Sequence, residues 1–128
     1  MDNIIRNKSY AFAIRIVNAY KFLTESKKEF VLSKQLLLSG TAIGALVAEA
    51  IHAQSGPDFL NKMNVALKEA NETGYWLSLL KDTDYLEEKQ YESIYKDCDE
   101  LIALLVSIVK SMKNTLNKMN KFGNNALQ

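Results

Sequence analysis

Glu49 and His52 stand three residues apart in an apolar helical stretch. Helices of di-iron bundles use this Glu-x-x-His spacing to aim a carboxylate and an imidazole at one metal. Glu69 and Glu72, on a second helical stretch, offer further oxygen ligands. The usual di-iron arrangement needs two such pairs, and His52 is the only histidine. A metal-dependent bundle enzyme is therefore the remote reading. The expectation is no metal and no cofactor, with Glu49 hydrogen bonding to Lys62 or Arg15 and His52 near a helix end, where partial positive charge is favourable. Nucleophilic catalysis finds no support, because Ser39 and Cys98 share that one histidine and Ser39, beside Gly40 in a helix, has no strained turn to expose it. Phosphate-cradling glycine loops are absent too. The sequence is expected to be that of a non-enzyme.

Phosphate recognition is the other chemistry on offer. Residues 1–28 hold six basic and two acidic side chains, and residues 101–128 hold four basic and none acidic. Between them, residues 82–100 hold eight acidic and two basic. In an antiparallel bundle the start of the first helix meets the end of the last, so Arg6, Lys8, Lys110, Lys113, Lys118 and Lys121 gather at one end, with the acidic run at the other. Such a patch suits RNA or DNA phosphates, with Tyr10 and Phe122 available to stack on bases. The plainer account is that lysines late in a helix and acids early in it complement the helix dipole.

The elements that must position these residues are helices. Apolar residues recur at three- and four-residue spacing almost throughout, and there is one proline in 128 residues. Helices are expected at about 9–24, 29–53, 56–81 and 85–116, with a polar, frayed tail at 119–128 after a bundle of residues 1–118. Their stripes are Ala13, Ile16, Val17, Tyr20 and Leu23; Val31, Leu32, Leu36, Ile43, Leu46, Val47 and Ala50; Phe59, Met63, Ala66, Leu67, Ala70, Leu77 and Leu80; and Tyr91 to Met112. Ser55-Gly56-Pro57-Asp58 is a helix start, with Ser55 as cap and Pro57 in the first turn; Asp84 and Glu87 repeat the cap spacing. Four helices joined by short links make an all-α, up-down antiparallel four-helix bundle. Gly40, Gly44 and Ala48, like Ala66, Ala70 and Gly74, recur every four residues and form two small ridges able to approach closely.

Sixteen basic against fifteen acidic residues leave no global charge to announce a partner. One cysteine and the lack of a signal-like N-terminus indicate a reducing, cytoplasmic setting. Leu36–Ala48 falls short of the roughly 20 apolar residues of a membrane span, so no membrane partner is expected. Leu37, Leu38, Tyr75 and Trp76 exceed what one apolar face per helix can bury, which points to a subunit interface.

EFVLSKQLLLSGTAIGALVAEA, SGPDFLNKMNVALKEANETGYWLSLL and KSYAFAIRIVNAYKFL together resemble the 23S rRNA intervening-sequence protein family over about residues 8–112. The resemblance implies a four-helix protomer assembled into a ring, commonly a homopentamer, with no known catalytic activity and no cofactor. It is also similar in fold to the accessory variability determinant of diversity-generating retroelements, which binds nucleic acid and a reverse transcriptase. The expected function is a homo-oligomeric scaffold that engages RNA, DNA or a nucleic-acid enzyme through its basic end; the alternative is a protein–protein adaptor without nucleic-acid contact.

Overall fold

The computed structural model describes residues 3–127, with side chains through Gly123. Helices α1 (Ile4–Glu25), α2 (Leu32–Ile51), α3 (Gly56–Asp82) and α4 (Glu88–Leu127) run up and down. Each packs on its sequence neighbours, α1 and α4 close the ring, and no strand occurs among the described residues. Ile16, Leu23, Leu36, Ile43, Val47, Met63, Leu77, Leu80 and Leu105 line a fully buried core. These are the positions that 3.6-residue periodicity brings to one side of each helix.

The helix starts follow local chemistry. Asn3 caps α1 by accepting from Arg6 N–H at 3.1 Å. Ser55 caps α3 by accepting from Asp58 N–H at 3.2 Å, with Pro57 in the first turn, as the sequence leads one to expect. At the top of α2 the cap is a buried carboxylate: Glu29 accepts from the N–H groups of Val31 and Leu32, both at 3.0 Å, and Ser33 at 2.7 Å.

Four expectations are corrected. Asp84 does not cap α4. It lies in the left-handed region at φ 69°, just past the end of α3, and the N–H groups of Tyr85 and Leu86 both return to Leu80 O. α4 starts at Glu88, where Gln90 Oε1 accepts from Glu87 N–H at 3.0 Å. The buried stripe of α1 runs through Ile5, Ser9, Phe12, Ile16 and Leu23, leaving Ala13, Val17 and Tyr20 at its margin; Val31 is exposed before α2 begins. The small-residue ridges do not meet each other. A methyl placed on Gly40 would lie 2.7–2.9 Å from three Ile16 carbons, one on Gly44 would lie 3.3 Å from Ser9 O, and one on Gly74 would lie 3.5 Å from the Tyr95 ring. The α2 ridge thus admits α1, and Gly74 admits α4. Lastly, α4 is helical as far as Leu127, past the expected end near 116 and through most of the expected tail; Gln128 is outside the described residues. At 1.5 Å per residue its 40 residues span about 60 Å, against about 33 Å for the 22 of α1, so α4 overhangs the bundle.

By length and composition α2 could cross a membrane; the apolar stretch is longer than 36–48 alone indicated. In the bundle it packs between α1 and α3.

Candidate functional site

The six basic residues expected at one end are not brought together. Lys8 forms an ion pair with Glu100, and Arg15 ties α1 to α4 from the next turns: Nη1 donates to Asp97 Oδ2 at 2.6 Å and Ser93 O at 3.1 Å, and Nη2 donates to Ser93 Oγ at 2.9 Å. These contacts set the register of α1 against α4 and place the start of α1 level with about residue 104. From that level Lys121 lies about 25 Å farther along α4, so Lys110, Lys113, Lys118 and Lys121 mark out a helix and not the bundle end that carries Arg6. All four are exposed. The opposite end is mixed in charge, because the α1–α2 link with Lys27 and Lys28 stands at the same end as the acidic α3–α4 link.

The residues expected at a subunit interface separate into two sites. Leu37 and Leu38 lie on α2, Leu37 half-buried and Leu38 55% exposed. At the seam of α1 with α2, Tyr10 (69% exposed) and Ile14 (50%) stand around a recess of about 570 Å³ that Gly44 and Ala48 line from the α2 side and that Leu37 and Leu38 do not reach. Tyr75 and Trp76 are on α3, in edge-to-face contact at 5.0 Å; Tyr75 is exposed and Trp76 Nε1 donates to Glu72 Oε1 at 3.3 Å. Sequence reasoning missed Ile14, whose signal was an apolar residue off the α1 stripe. It also missed a groove of about 470 Å³ between α1 and α4, floored by Ala19, Phe22, Leu86 and Ile94 and edged by Arg15 and Lys89.

The Glu-x-x-His pair is divided. Glu49 pairs with Lys62 at 3.7 Å, while His52 is the exposed C-cap of α2. Among the described residues no three His, Cys, Asp or Glu side chains are grouped to hold a metal. Burial, and secondarily the charge of Glu72, raise the Glu69 carboxyl above its ordinary value. Cys98 is buried and its thiol donates to Ala70 O at 3.3 Å; burial, with Asp99 adding to it, pushes the thiol up to about 12. The reactive species is the thiolate, so at pH 8 a soluble disulfide reagent should modify folded Cys98 at least about tenfold more slowly than the urea-unfolded chain, a ratio read from thiol release. Equal rates would show that α3 and α4 part readily at this level.

The architecture, the links and the capped α3 start agree with one family. The model of the 23S rRNA-intervening sequence protein family matches residues 1–107. The chain belongs to this family. A crystal structure of a protein of unknown function from the S23 ribosomal protein family of Bacteroides thetaiotaomicron is 59% identical in sequence. It superposes with a TM-score of 0.82, covering 83% of this chain and 98% of its own. No curated protein is significantly similar. Family membership accounts for the bundle and leaves its activity to be argued from surfaces, since the crystallised relative is itself of unknown function.

Proposed function

We propose that this family member is a non-enzymatic homo-oligomeric scaffold whose copies join through the outer face of α2 and the adjoining part of α1, and whose basic α4 engages the phosphates of RNA or DNA. One observation carries the first half. From Gln35 to Ala48, fourteen consecutive residues, α2 bears no charged side chain on any face; at its outer side Leu38 is exposed, and along its edge with α1 Tyr10 and Ile14 are exposed as well. A helix that faced water on that side would carry charge there. Small, exposed Ala45 and Ala48 let another helix approach closely, and exposed apolar patches mark interaction surfaces. The ring of five that the family resemblance implies is one assembly such a face can build, since a heterologous contact closes into a ring when its rotation allows.

Leu38→Glu places a charge at the centre of that face without touching the core. Light scattering at micromolar concentration should give a multiple of 14.5 kDa for the native chain and a smaller species for Leu38→Glu, with unchanged helical circular dichroism. A native monomer would end this reading. The second half is supported by the run of four lysines without an acid in residues 101–128. RNA binding should then weaken steeply with salt, and alanine at Lys110, Lys113 and Lys118 should lower affinity and flatten that dependence by up to about three phosphate contacts without altering mass. Pairing of Lys8 with Glu100 and dispersal of the other lysines favour the second reading, a protein adaptor, and an oligomer indifferent to RNA at low salt would select it.

A further inference from the structure

The bundle does not use all of α4. A methyl on Gly56 would come within 2.9 Å of Leu116 Cδ2 and 3.1 Å of Met112 Cε, so the start of α3 rests on these two side chains. Beyond them Met119 and Phe122 are 62% and 78% exposed. They are nonetheless in register with the core: alternating steps of four and three residues lead from Ile94 and Cys98, inside the bundle, through Met112 to Met119 and Phe122, outside it, with Thr115 the one polar residue on the path. That is a heptad seam, and a heptad seam is made to meet another helix. The family model ends at residue 107, so this part of α4 lies outside what the family defines.

The geometry points to the occupant: the overhangs of two or more copies of this chain pack on one another, parallel and in register, along Met119 and Phe122. Charge placement decides for a second copy. No acid occurs after Glu100, and of the four lysines only Lys118 flanks the seam, at the position before Met119; Lys110, Lys113 and Lys121 fall on the outer positions of the repeat. An acidic partner helix would be met by lysines on both flanks, whereas a neutral stripe with outward lysines fits a copy of itself. In the parallel pairing Lys118 lies across from Gly123 of the other copy, so no like charges are opposed. The inference rests on the multi-copy reading above but not on the α2 face. It also serves the phosphate reading, because joined overhangs would present their outer lysines around one stalk.

The test is cysteine cross-linking in the full chain, with buried Cys98 left in place. Under mild oxidation Met119→Cys should pass largely into covalent dimer, and Asn117→Cys, on the outer side of the repeat, should give at least fivefold less. Equal yields, or no dimer from Met119→Cys, would overturn the seam. Co-sedimentation of the native chain with anionic phosphatidylglycerol vesicles, without Met119→Cys cross-linking, would overturn it too and assign the stripe to a lipid surface. A native multimer whose Met119→Cys form fails to cross-link leaves the α2 face standing without the seam. Cross-linking at Met119 while Leu38→Glu leaves the mass unchanged leaves the seam standing without the α2 face.

Discussion

Ile16→Ala should lower the unfolding free energy by about 2–5 kcal/mol, Gly40→Ala by about 1–3, and the two together by clearly less than their sum. Ile16 is fully buried, and truncating it removes apolar contact and leaves a cavity between α1 and α2. Gly40 has the reverse problem. Its missing methyl would sit 2.7, 2.8 and 2.9 Å from Ile16 Cγ1, Cγ2 and Cδ1, closer than real Cβ contacts come, and a core side chain has little room to yield. The better helix propensity of alanine, worth about 1 kcal/mol, offsets part of that cost. In the double variant the new methyl occupies space that Ile16 has vacated, so a double-mutant cycle from urea unfolding, at one fixed protein concentration, should show at least about 1 kcal/mol of coupling. Additivity within about 0.5 kcal/mol would mean that α1 and α2 do not approach closely at this level.

The same contact shows what could be read from the residues alone and what could not. Spacing of Gly40, Gly44 and Ala48 announced a close approach, because glycine inside a helix is costly unless a neighbour needs the space. It could not say which neighbour, since a helix presents a small stripe in the same way whether α1 or α3 lies against it. Ser55 to Asp58 was legible because serine cap, proline and acid act within one turn. Asp84 and Glu87 show the same spacing, yet the left-handed turn that ends α3 claims Asp84 first. Turn chemistry at a helix end and cap chemistry at the next start draw on the same residues, and only the chain path decides between them.

Charge was the least legible property. Lys8 and Glu100 are far apart in sequence and neutralise each other across α1 and α4, and Arg15 does the same with Asp97. Counting charges by segment therefore overstated the basic end, and Lys110, Lys113, Lys118 and Lys121 are instead spread along one helix. The charge-free length of α2 was in view from the start, but its meaning depends on knowing that α1 and α3 cover only the inner side of that helix. Leu38 became informative once the bundle was seen to leave it exposed.

Glu29→Gln should cost about 1–3 kcal/mol at neutral pH and remove an acid-sensitive part of the stability. Val31, the residue before α2, offers no side-chain cap, so the first N–H groups of that helix depend on Glu29, whose two oxygens accept from three of them. Ser33 adds its hydroxyl, which donates to Glu29 O at 2.8 Å. Burial by itself raises the Glu29 carboxyl, but the N–H bonds from Ser33, Leu32 and Val31 together outweigh it, and the net shift is below the ordinary 4.5. The folded state therefore holds this proton less tightly than the unfolded chain. Its contribution is fully present above pH 4.5 and is lost as pH falls below that value through the lower folded pKa. An amide accepts through one oxygen only and turns an NH2 toward the helix N–H groups, leaving at least one buried donor without a partner. The native chain should thus lose more stability than Glu29→Gln on descending from pH 6 to pH 3, with the two urea midpoints converging at the acid end. If instead they stay parallel over that range, the carboxylate is not what holds the start of α2, and the left-handed turn at Lys28 must set its direction unaided.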